Sequence, residues 1–554
     1  MSLANLGLAH LDLGDPALAE ESWKRRLRLA RELKNRSSEA LALVDLGHLS
    51  LRRGDLDLVH RRGSAARELA REAQDPEGEL FAMGLLLQEA LAREDVAETD
   101  ALLREATGRL ESLPAGRFEP TDGMGLRERL AGWAELAEDA AMLLEERLSG
   151  ERVRIVSEAF RRAGLWKGAM LLELLQARTG RDRRDGLVFP GGVDPDVVRD
   201  RVLDRDSVLV EFASGARTLR ARVLTTTSLD TVELGPKEEI AAELRALIGG
   251  LSDVRTLPSA ASLARRAHAL HQRLLAPCLE RAGGRRRLVV IPDATVAGLP
   301  FEALVTRCRP QDNDVAFREL EYVLDRFLVT YSPSAPVLVA LAGLRRDGLP
   351  RPALVVADPG SGELLPGARR EALEIARRLG PGQTRLYLGE EAHEGRLRTG
   401  VGGFRLVHVA AHAEEDPQGA VCLRLAPGGG EDGSVTAPEI AALELAADLV
   451  VLSACRSNRG VVRQAEGVRS LAWAFLAAGA RGVVATAWPV EDAAGGALIG
   501  EFYRLLGNEG LPAALALHQA RLSMRQRRPD RGDPLAPEPA HPFFWAPFVA
   551  VGPL

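Results

Sequence analysis

The first part of the chain repeats itself with a period of 40 residues. Its three copies are, in order, Asn5-Leu6-Gly7 with Gly14-Asp15, Asp45-Leu46-Gly47 with Gly54-Asp55, and Leu85-Leu86-Leu87 with Glu94-Asp95. Within each copy the apolar residues recur at helical spacing, and the Gly-Asp pair interrupts one helix before the next begins. The third copy is weaker, because Glu94 replaces the glycine. The pattern predicts an α-helical repeat solenoid, in which each hairpin buries its apolar stripe against its neighbours.

The free surface of such a solenoid favours a binding role. Stacking uses up the apolar stripes, so the concave face remains available for a protein or peptide. The repeat resembles the tetratricopeptide family, although most of that family's aromatic and proline positions are missing here. The resemblance implies a protein or peptide partner on the repeats. The alternative is a helical scaffold with no specific ligand.

The sequence pattern changes after the repeats. Helical patterning continues from Leu126 to Leu175 and is followed by a polar segment rich in glycine and proline. Beyond it, short β-branched runs alternate with helical stretches, which predicts an α/β domain with a mainly parallel, helix-covered sheet. The predicted strands are Val208–Phe212, Leu219–Thr225, Leu288–Ile291, Phe327–Tyr331, Ala353–Ala357, Phe404–Ala411, Val421–Leu425, Leu449–Leu452 and Gly482–Ala487. We therefore predict helical repeats at 1–150, a helical connection and linker at 151–195, and the α/β domain at 196–554.

Composition narrows the classes of function. A chain of 554 residues with 46% hydrophobic residues is long enough for two or three domains. Its net charge of -6 supplies no overall field for nucleic acid, so a nucleic-acid partner is not expected. The first residues lack a basic segment followed by an apolar core, and no apolar run is long enough to span a bilayer. We expect a cytoplasmic protein that does not enter a membrane.

The four cysteines are isolated from one another in the sequence. Cys278, Cys308, Cys422 and Cys455 form no Cys-x-x-Cys pair, so neither a disulfide framework nor a four-thiolate zinc site is expected. We predict no metal and no cofactor. Each cysteine is then either a buried apolar residue or a thiol available for chemistry.

Two predicted strands end in residues that can carry out chemistry. His412 follows the apolar run that begins at Phe404, and Cys455 follows the buried run that begins at Leu449. Ligands of open α/β sheets bind beyond the carboxyl ends of the strands, so these two residues can share one site. A thiolate is a nucleophile, and a nearby imidazole can accept the thiol proton and later protonate a leaving amine. Backbone N–H groups of Ala413 and Cys455 are candidates for binding the oxyanion.

A series of further motifs gives this half of the chain a family resemblance. In order they are Leu288-Val-Val-Ile-Pro-Asp, Leu299-Pro-Phe-Glu-Ala-Leu, Tyr331-Ser-Pro-Ser-Ala, Ala357-Asp-Pro, Leu365-Pro-Gly-Ala-Arg, the strand with His408 and His412, Leu452-Ser-Ala-Cys-Arg-Ser, Glu466-Gly-Val, Ala477-Ala-Gly-Ala, Thr486-Ala-Trp-Pro-Val-Glu-Asp, Phe502-Tyr and His541-Pro-Phe-Phe-Trp-Ala-Pro-Phe. Together they resemble the CHAT domain family, caspase-like cysteine peptidases associated with tetratricopeptide repeats. The resemblance implies a caspase-like domain with its peptidase core at about 285–552.

The resemblance also assigns roles to individual residues. It implies that Cys455 is the nucleophile and that His412, not His408, is the catalytic histidine. Strand geometry agrees, because residues four apart on a strand lie about 13 Å from each other and only the terminal one reaches the loop region. His408 is expected to have a structural role. Caspase-like enzymes commonly have glycine after the histidine, whereas this chain has Ala413, which would be strained if its φ were positive.

Acidic residues near the predicted site suggest a substrate preference. Glu466 follows the nucleophile loop, and Asp492 follows the predicted strand that ends near Trp488. A carboxylate in the first specificity pocket would favour Arg or Lys before the cleaved bond. The alternative is that Asp492 or Glu491 caps a helix that begins at Ala493.

Three other functions compete with a peptidase. His408 and His412 have the His-x-x-x-His spacing of zinc hydrolases, but that geometry requires a helix and a Glu after the first histidine, where this chain has Val409. The glycine-containing turn after Asp358 lacks the Lys-Ser/Thr of a phosphate-binding loop. The third alternative is a catalytically silent caspase-like scaffold used for protein–protein interaction.

Overall fold

The computed structural model describes most of the chain. The described residues are 2–112, 124–179, 192–253, 259–308, 315–344, 353–359, 366–380, 382–415, 421–454, 460–463, 467–490, 492–527 and 538–554. They form two compact units, one of described residues up to Leu165 together with Gly192, and a second from Trp166 onward. No helix among them is both long enough and apolar enough to cross a bilayer.

The first unit is entirely helical in its described elements. Its helices are α1 (Leu3–Asp12), α2 (Pro16–Glu32), α3 (Arg36–Arg52), α4 (Leu56–Glu72), α5 (Pro76–Ala92), α6 (Val96–Glu111), α7 (Met124–Arg147) and α8 (Arg152–Trp166, of which all but the last residue lies in this unit). The helices α2, α4 and α6 begin 40 residues apart, as the repeat predicts. Each is capped by an aspartate whose side chain accepts a backbone N–H from the first turn: Asp15 from Leu18, Asp55 from Leu58 and Asp95 from Glu98. Caps of this kind contribute about 1 kcal/mol each.

The weaker third copy keeps the geometry of the other two. Gly14 and Gly54 precede their capping aspartates with φ of 80° and 74°, and Glu94 adopts a φ of 53° at the equivalent position. This left-handed conformation costs a residue with a side chain more than it costs glycine. The hairpin turn is therefore imposed by the packing of the helices on each side, even where the sequence has lost its glycine.

The second unit contains the remaining helices and all of the described strands. Its helices are α9 (Ala169–Thr179), α10 (Pro195–Arg201), α11 (Lys237–Ser252), α12 (Ala260–Leu274), α13 (Ala276–Leu279), α14 (Ala335–Ala342), α15 (Pro366–Leu379), α16 (Glu394–Gly400), α17 (Ala437–Ala441), α18 (Leu471–Ala477), α19 (Asp492–Asn508), α20 (Ala513–Gln526) and α21 (Pro542–Trp545). Its strands are β1 (Ser207–Ser214), β2 (Thr218–Leu224), β3 (Leu229–Pro236), β4 (Arg287–Ile291), β5 (Val305–Arg307), β6 (Glu321–Tyr322), β7 (Leu328–Tyr331), β8 (Ala353–Ala357), β9 (Thr384–Leu388), β10 (Leu406–Ala410), β11 (His412–Glu415), β12 (Val421–Arg424), β13 (Ser434–Thr436), β14 (Leu449–Leu452), β15 (Gly460–Arg463), β16 (Gly467–Ser470), β17 (Val483–Thr486) and β18 (Phe548–Val551).

Eleven of these strands form one sheet in the order β3-β2-β1-β4-β7-β18-β17-β14-β10-β8-β9. Strands β1, β4, β7 and β18 run parallel to one another, and so do β17, β14, β10, β8 and β9. The two sets run in opposite directions, because β17 and β18 pair antiparallel. All residues of β8, β14, β17 and β18 are buried, as in a sheet covered on both faces. The predicted fold class, helical repeats followed by a mainly parallel, helix-covered sheet, is confirmed.

Candidate active site

The strands that precede His412 and Cys455 in the sequence are direct neighbours in the sheet. β10 pairs parallel with β14, with His408 opposite Val451 and Val409 opposite Leu452. Parallel strands end at the same edge, so the residues after Ala410 and Leu452 leave the sheet side by side. A shared site was expected from the sequence at this same edge.

The strand expected at Phe404–Ala411 is observed as β10 over Leu406–Ala410, and His412 begins a different strand where the sequence suggested a loop. The pairing of β10 with β8 ends at Ala410, whose carbonyl accepts the N–H of Asp358 at 3.1 Å. The chain then leaves the large sheet, and His412 becomes the first residue of β11, opposite Arg424 in a separate three-stranded sheet. His412 is partly exposed there. A histidine at this junction is anchored by two sheets and still reaches solvent.

Ala413 occupies an ordinary extended backbone position. It lies in β11 opposite Leu423. The non-glycine residues with positive φ in the described part of the chain are Lys34, Gln74, Glu94 and Asp358. The strain that a positive φ would cause at Ala413 is therefore not present, and alanine replaces glycine at this position without a backbone penalty.

Two contacts fix the chain immediately before Cys455. The backbone N–H of Ser453 donates to the carbonyl of Val409 at 2.9 Å, and the hydroxyl of Thr486 donates to the carbonyl of Ala454. Cys455 itself lies outside the described residues, as does Glu466. Asp492 begins α19, one residue before the helix start expected from the sequence, and its side chain is outside the described part of the chain.

His408 is an internal residue. It is fully buried, with Nδ1 3.0 Å from the hydroxyl oxygen of Tyr503 and Nε2 2.9 Å from Oε1 of Glu371. This position agrees with the structural role expected for His408. His408 and His412 lie on strands of two different sheets, so they lack the helical arrangement that a shared zinc ion would need.

The other described cysteines differ from one another in exposure. Cys278 is fully buried, its thiol donates to the carbonyl of Leu274, and burial raises the pKa of this thiol to about 12. Such a thiol is inert. Cys422 is partly exposed in β12, opposite Glu414 and Thr436. It therefore provides an internal comparison for the reactivity of Cys455.

Several residues at this edge had no role that the sequence could reveal. Ser453 and Tyr503 stand inside motifs that are noticeable only for their family resemblance. Glu371 belongs to no local pattern, because it is one of several charged residues on the amphipathic helix α15. Only the contacts between distant parts of the chain identify it.

The chain is similar to a known domain family and to two curated proteins. A family model described as "CHAT domain" matches residues 264–553, more than half of the chain. Tetratricopeptide repeat protein 28 from Homo sapiens is 36% identical over 118 residues, which are 21% of this chain and 4% of that protein, and the protein of the same name from Mus musculus gives the same values. The chain therefore spans only a small part of these relatives.

Two solved structures are similar to the chain at low sequence identity. The Saccharomyces cerevisiae separase–securin complex at 2.6 Å resolution has a TM-score of 0.50 and 11% identity, and the similarity covers 99% of this chain and 49% of that one. The Arg-specific cysteine proteinase gingipain R has a TM-score of 0.33 and 8% identity, over 57% of this chain and 75% of that one. With the family model, the first of these is consistent with a caspase-like fold. The chain belongs to the CHAT domain family, with tetratricopeptide-like helical repeats in front of the CHAT domain.

Proposed function

We propose that this protein is a cysteine endopeptidase in which Cys455 is the nucleophile and His412 the general base. The observation that carries the proposal is the pairing of β10 with β14, which brings the chain leading to each residue to one edge of the sheet. The sequence continues from Ala454 directly to Cys455, and consecutive Cα atoms are about 3.8 Å apart.

The proposed reaction needs only side chains and backbone. His412 takes the proton of the Cys455 thiol, and the thiolate attacks the carbonyl carbon of the scissile peptide bond. The resulting oxyanion is bound by the backbone N–H groups of Cys455 and Ala413. The imidazolium then protonates the leaving amine, and water hydrolyses the thioester with His412 as base again.

A difference in thiol reactivity tests the dyad without a known substrate. Iodoacetamide should alkylate Cys455 faster than Cys422 at neutral pH, since an adjacent imidazole favours the thiolate. His412→Ala should slow alkylation of Cys455 about tenfold or more and leave Cys422 unchanged. Peptide mass spectrometry separates the two sites. Equal rates at both cysteines, with no effect of His412→Ala, would favour the silent scaffold.

We further propose that a protein or peptide bound to the repeats activates the peptidase. Partly exposed residues recur at matching repeat positions on α3 and α5: Leu41 with Phe81, and His48 with Gln88. The segments 414–419 and 456–460, which follow His412 and Cys455 in the sequence, are the ones proposed to move. The sequence suggested loops here, but Glu414 and Glu415 belong to β11 and Gly460 begins β15. A differential affinity of a few kcal/mol is sufficient to make a minor active state dominant.

The activator proposal is tested on the full chain. Extract from the source cells should raise the alkylation rate of Cys455, and the variant His48→Ala/Phe81→Ala should reduce that response while its basal rate stays the same. Ser64→Ala, at an exposed position on α4, is the control and should respond like the wild type. A full response in the double variant would exclude this face as the binding surface.

A further inference from the structure

A series of buried polar side chains next to the candidate site connects four elements of the second unit. The hydroxyl of Tyr503 on α19 lies 3.0 Å from Nδ1 of His408 on β10, and Nε2 of His408 lies 2.9 Å from Glu371 on α15. The second carboxylate oxygen of Glu371 accepts the hydroxyl of Ser453 at 3.2 Å. Tyr503 and His408 are fully buried, and Glu371 is 8% exposed. Polar groups at such depth are costly unless they satisfy one another.

The hydroxyl of Tyr503 keeps its proton at neutral pH. Burial, and secondarily the carboxylate of Glu371, raises the pKa of Tyr503 well above its ordinary value. This hydroxyl is hydrogen-bonded to Nδ1 of His408. Nε2 of His408 lies 2.9 Å from Oε1 of Glu371 but outside hydrogen-bond geometry, and the other oxygen of Glu371 accepts the hydroxyl of Ser453.

Ser453 is consequently held through both its backbone and its side chain. Its N–H is bound by β10, its hydroxyl is bound by α15 through Glu371, and the next carbonyl, of Ala454, is bound by Thr486 of β17. Three separate elements fix the two residues that precede Cys455 in the sequence. A second link joins the same helix to the neighbouring strand end, where Arg369 of α15 donates to Asp358 at 3.2 Å.

We propose that Ser453 and Glu371 are positioning residues that aim the Cys455 thiol at His412, an inference that rests on the proposed function. Neither residue exchanges a proton with the substrate in this scheme. Their hydrogen bond sets the direction in which the chain leaves β14. A displacement of about 1 Å at a nucleophile is sufficient to cost about 100-fold in rate, so an anchor two residues away controls reactivity.

The test measures alkylation of Cys455 by iodoacetamide in the full-length protein. Ser453→Ala should slow the reaction about tenfold, the change expected from a lost hydrogen bond to a charged group. Ser453→Thr, which keeps the hydroxyl, should stay within about twofold of the wild type. Ser214→Ala is the matched control, because Ser214 also ends a strand and donates its hydroxyl to a carboxylate, that of Asp293. It should leave the rate unchanged.

A double-variant cycle separates positioning from general destabilisation. If Ser453 acts by aligning the thiol with the imidazole, Ser453→Ala/His412→Ala should react as slowly as His412→Ala alone. A merely structural serine would give additive losses. Should Ser453→Ala fail to fold, Tyr503→Phe offers a second test. It removes only the hydroxyl that contacts His408, keeps the aromatic ring, and should slow alkylation of Cys455 about threefold.

The outcomes distinguish this inference from the proposed function. Wild-type alkylation that depends on His412 but is unchanged in Ser453→Ala and Tyr503→Phe overturns the positioning role and leaves the dyad standing. Additive losses in the cycle overturn it as well. Alkylation that does not depend on His412 in the wild type overturns the dyad, and the positioning role with it.

Discussion

The two halves of the large sheet, β3-β2-β1-β4-β7 and β17-β14-β10-β8-β9, both contain parallel strands and differ in the residues that come after those strands. In the half that contains β1, β4 and β7, Ser214 ends β1 and donates to Asp293, which lies just beyond β4. In the half that contains β10 and β14, Ser453 comes directly after β14 and donates to Glu371. Both halves therefore place a serine hydroxyl on a carboxylate at a strand end.

The partners of the two carboxylates explain the difference between the halves. Asp293 is occupied locally, since its other oxygen accepts the N–H groups of Thr295 and Val296, two and three residues along the chain. Glu371 joins β10, β14 and α15, and only its half continues into His412 and Cys455. A serine hydroxyl bonded to a carboxylate therefore belongs to a local turn in one half and connects three elements next to the candidate site in the other. The role of such a pair depends on its position in the fold more than on its residue types.

The largest expected effect is the loss of peptide hydrolysis when the proposed nucleophile, which follows a strand of only one half, is replaced. We expect Cys455→Ala to abolish peptide hydrolysis, because no other group in the scheme can form the thioester. Cys422→Ala, which removes a partly exposed thiol from β12, is the control and should retain activity. The measurement is cleavage of a mixed peptide library by each purified protein. Hydrolysis by Cys455→Ala equal to that of the wild type would exclude the mechanism.

The second expected effect concerns the attachment of β18, which lies between the halves, to β7. These two strands share a single register pair, Tyr331 with Val551, and a buried ion pair of Arg521 with Glu302, at 2.9 Å, reinforces the attachment. Arg521 also donates to the carbonyl of Phe548 in β18, and Glu302 accepts the hydroxyl of Tyr331 in β7. Arg521→Met should destabilise the protein by about 3–5 kcal/mol, because it leaves the carboxylate of Glu302 buried without its charge partner.

Urea unfolding of the full chain measures this loss. The control is Arg504→Met on α19, whose ion pairs with Glu501 and Glu509 are more exposed, so that this substitution should change the unfolding midpoint much less. Equal urea midpoints for the two variants would mean that the buried pair of Arg521 with Glu302 contributes no more than an exposed pair. The backbone hydrogen bonds between the strands would then be sufficient to hold β18 in place.

The third expected effect is a fall in the free energy of unfolding in mild acid, caused by two buried histidines. Burial lowers the pKa of His541, beside β18, and of His271, on α12, to about 4. Since the ordinary value is about 6.5, the unfolded chain binds more protons than the folded chain between about pH 6.5 and 4. The stabilisation is complete above about pH 6.5 and is lost as the pH falls towards about 4, up to about 3 kcal/mol for each histidine.

His541→Asn isolates one of these contributions. In the folded protein Nδ1 of His541 accepts the N–H of Phe543 at 3.0 Å, and asparagine can accept the same bond without titrating. The stability measured by thermal unfolding between about pH 7.5 and 4.5 should therefore fall less steeply in the variant than in the wild type. Parallel curves would show that His541 is not a proton-linked residue.

The smallest effect is expected for substrate preference. If Asp492 lines the first specificity pocket, peptides with Arg or Lys before the cleaved bond should be preferred, and Asp492→Asn should weaken that preference several-fold. Asp196→Asn is the control, because Asp196 is a carboxylate in the first turn of α10, the helix that precedes β1. If Asp492 only favours the start of α19, both variants will lose a little stability and neither will change the preference.

The sequence was informative where structure is local. The 40-residue period predicted the spacing of the repeat helices, and continuous apolar runs predicted β8 and β14 with their observed bounds. It did not predict β11, where His412 leaves the large sheet, because the end of β10 is set by partners on two other strands. It also did not predict β18, since a short aromatic run near proline carries no sign that it will pair between two distant strands.

The dyad of His412 and Cys455 stays a prediction, and the structure describes the strands that lead to it. Strand-end positions and family motifs singled out His412 and Cys455, and the neighbouring placement of β10 and β14 agreed with the expected parallel sheet. The role of His408 was anticipated only as structural, because its partners Glu371 and Tyr503 are brought to it by helices far along the chain. Contacts between such distant residues have no local pattern.

The position of β18 has a consequence for synthesis of the protein. Among the described strands it is the last in chain order, and it lies between β7 and β17 in the sheet. While the ribosome is still adding residues before Phe548, each half can collapse only around its own strands, with β7 and β17 exposed as open edges. Unpaired edges of this kind invite association with other chains. We therefore expect ribosome-bound chains that stop short of Phe548 to be cleaved readily by protease, and longer chains to become resistant only once Val551 has emerged from the ribosome.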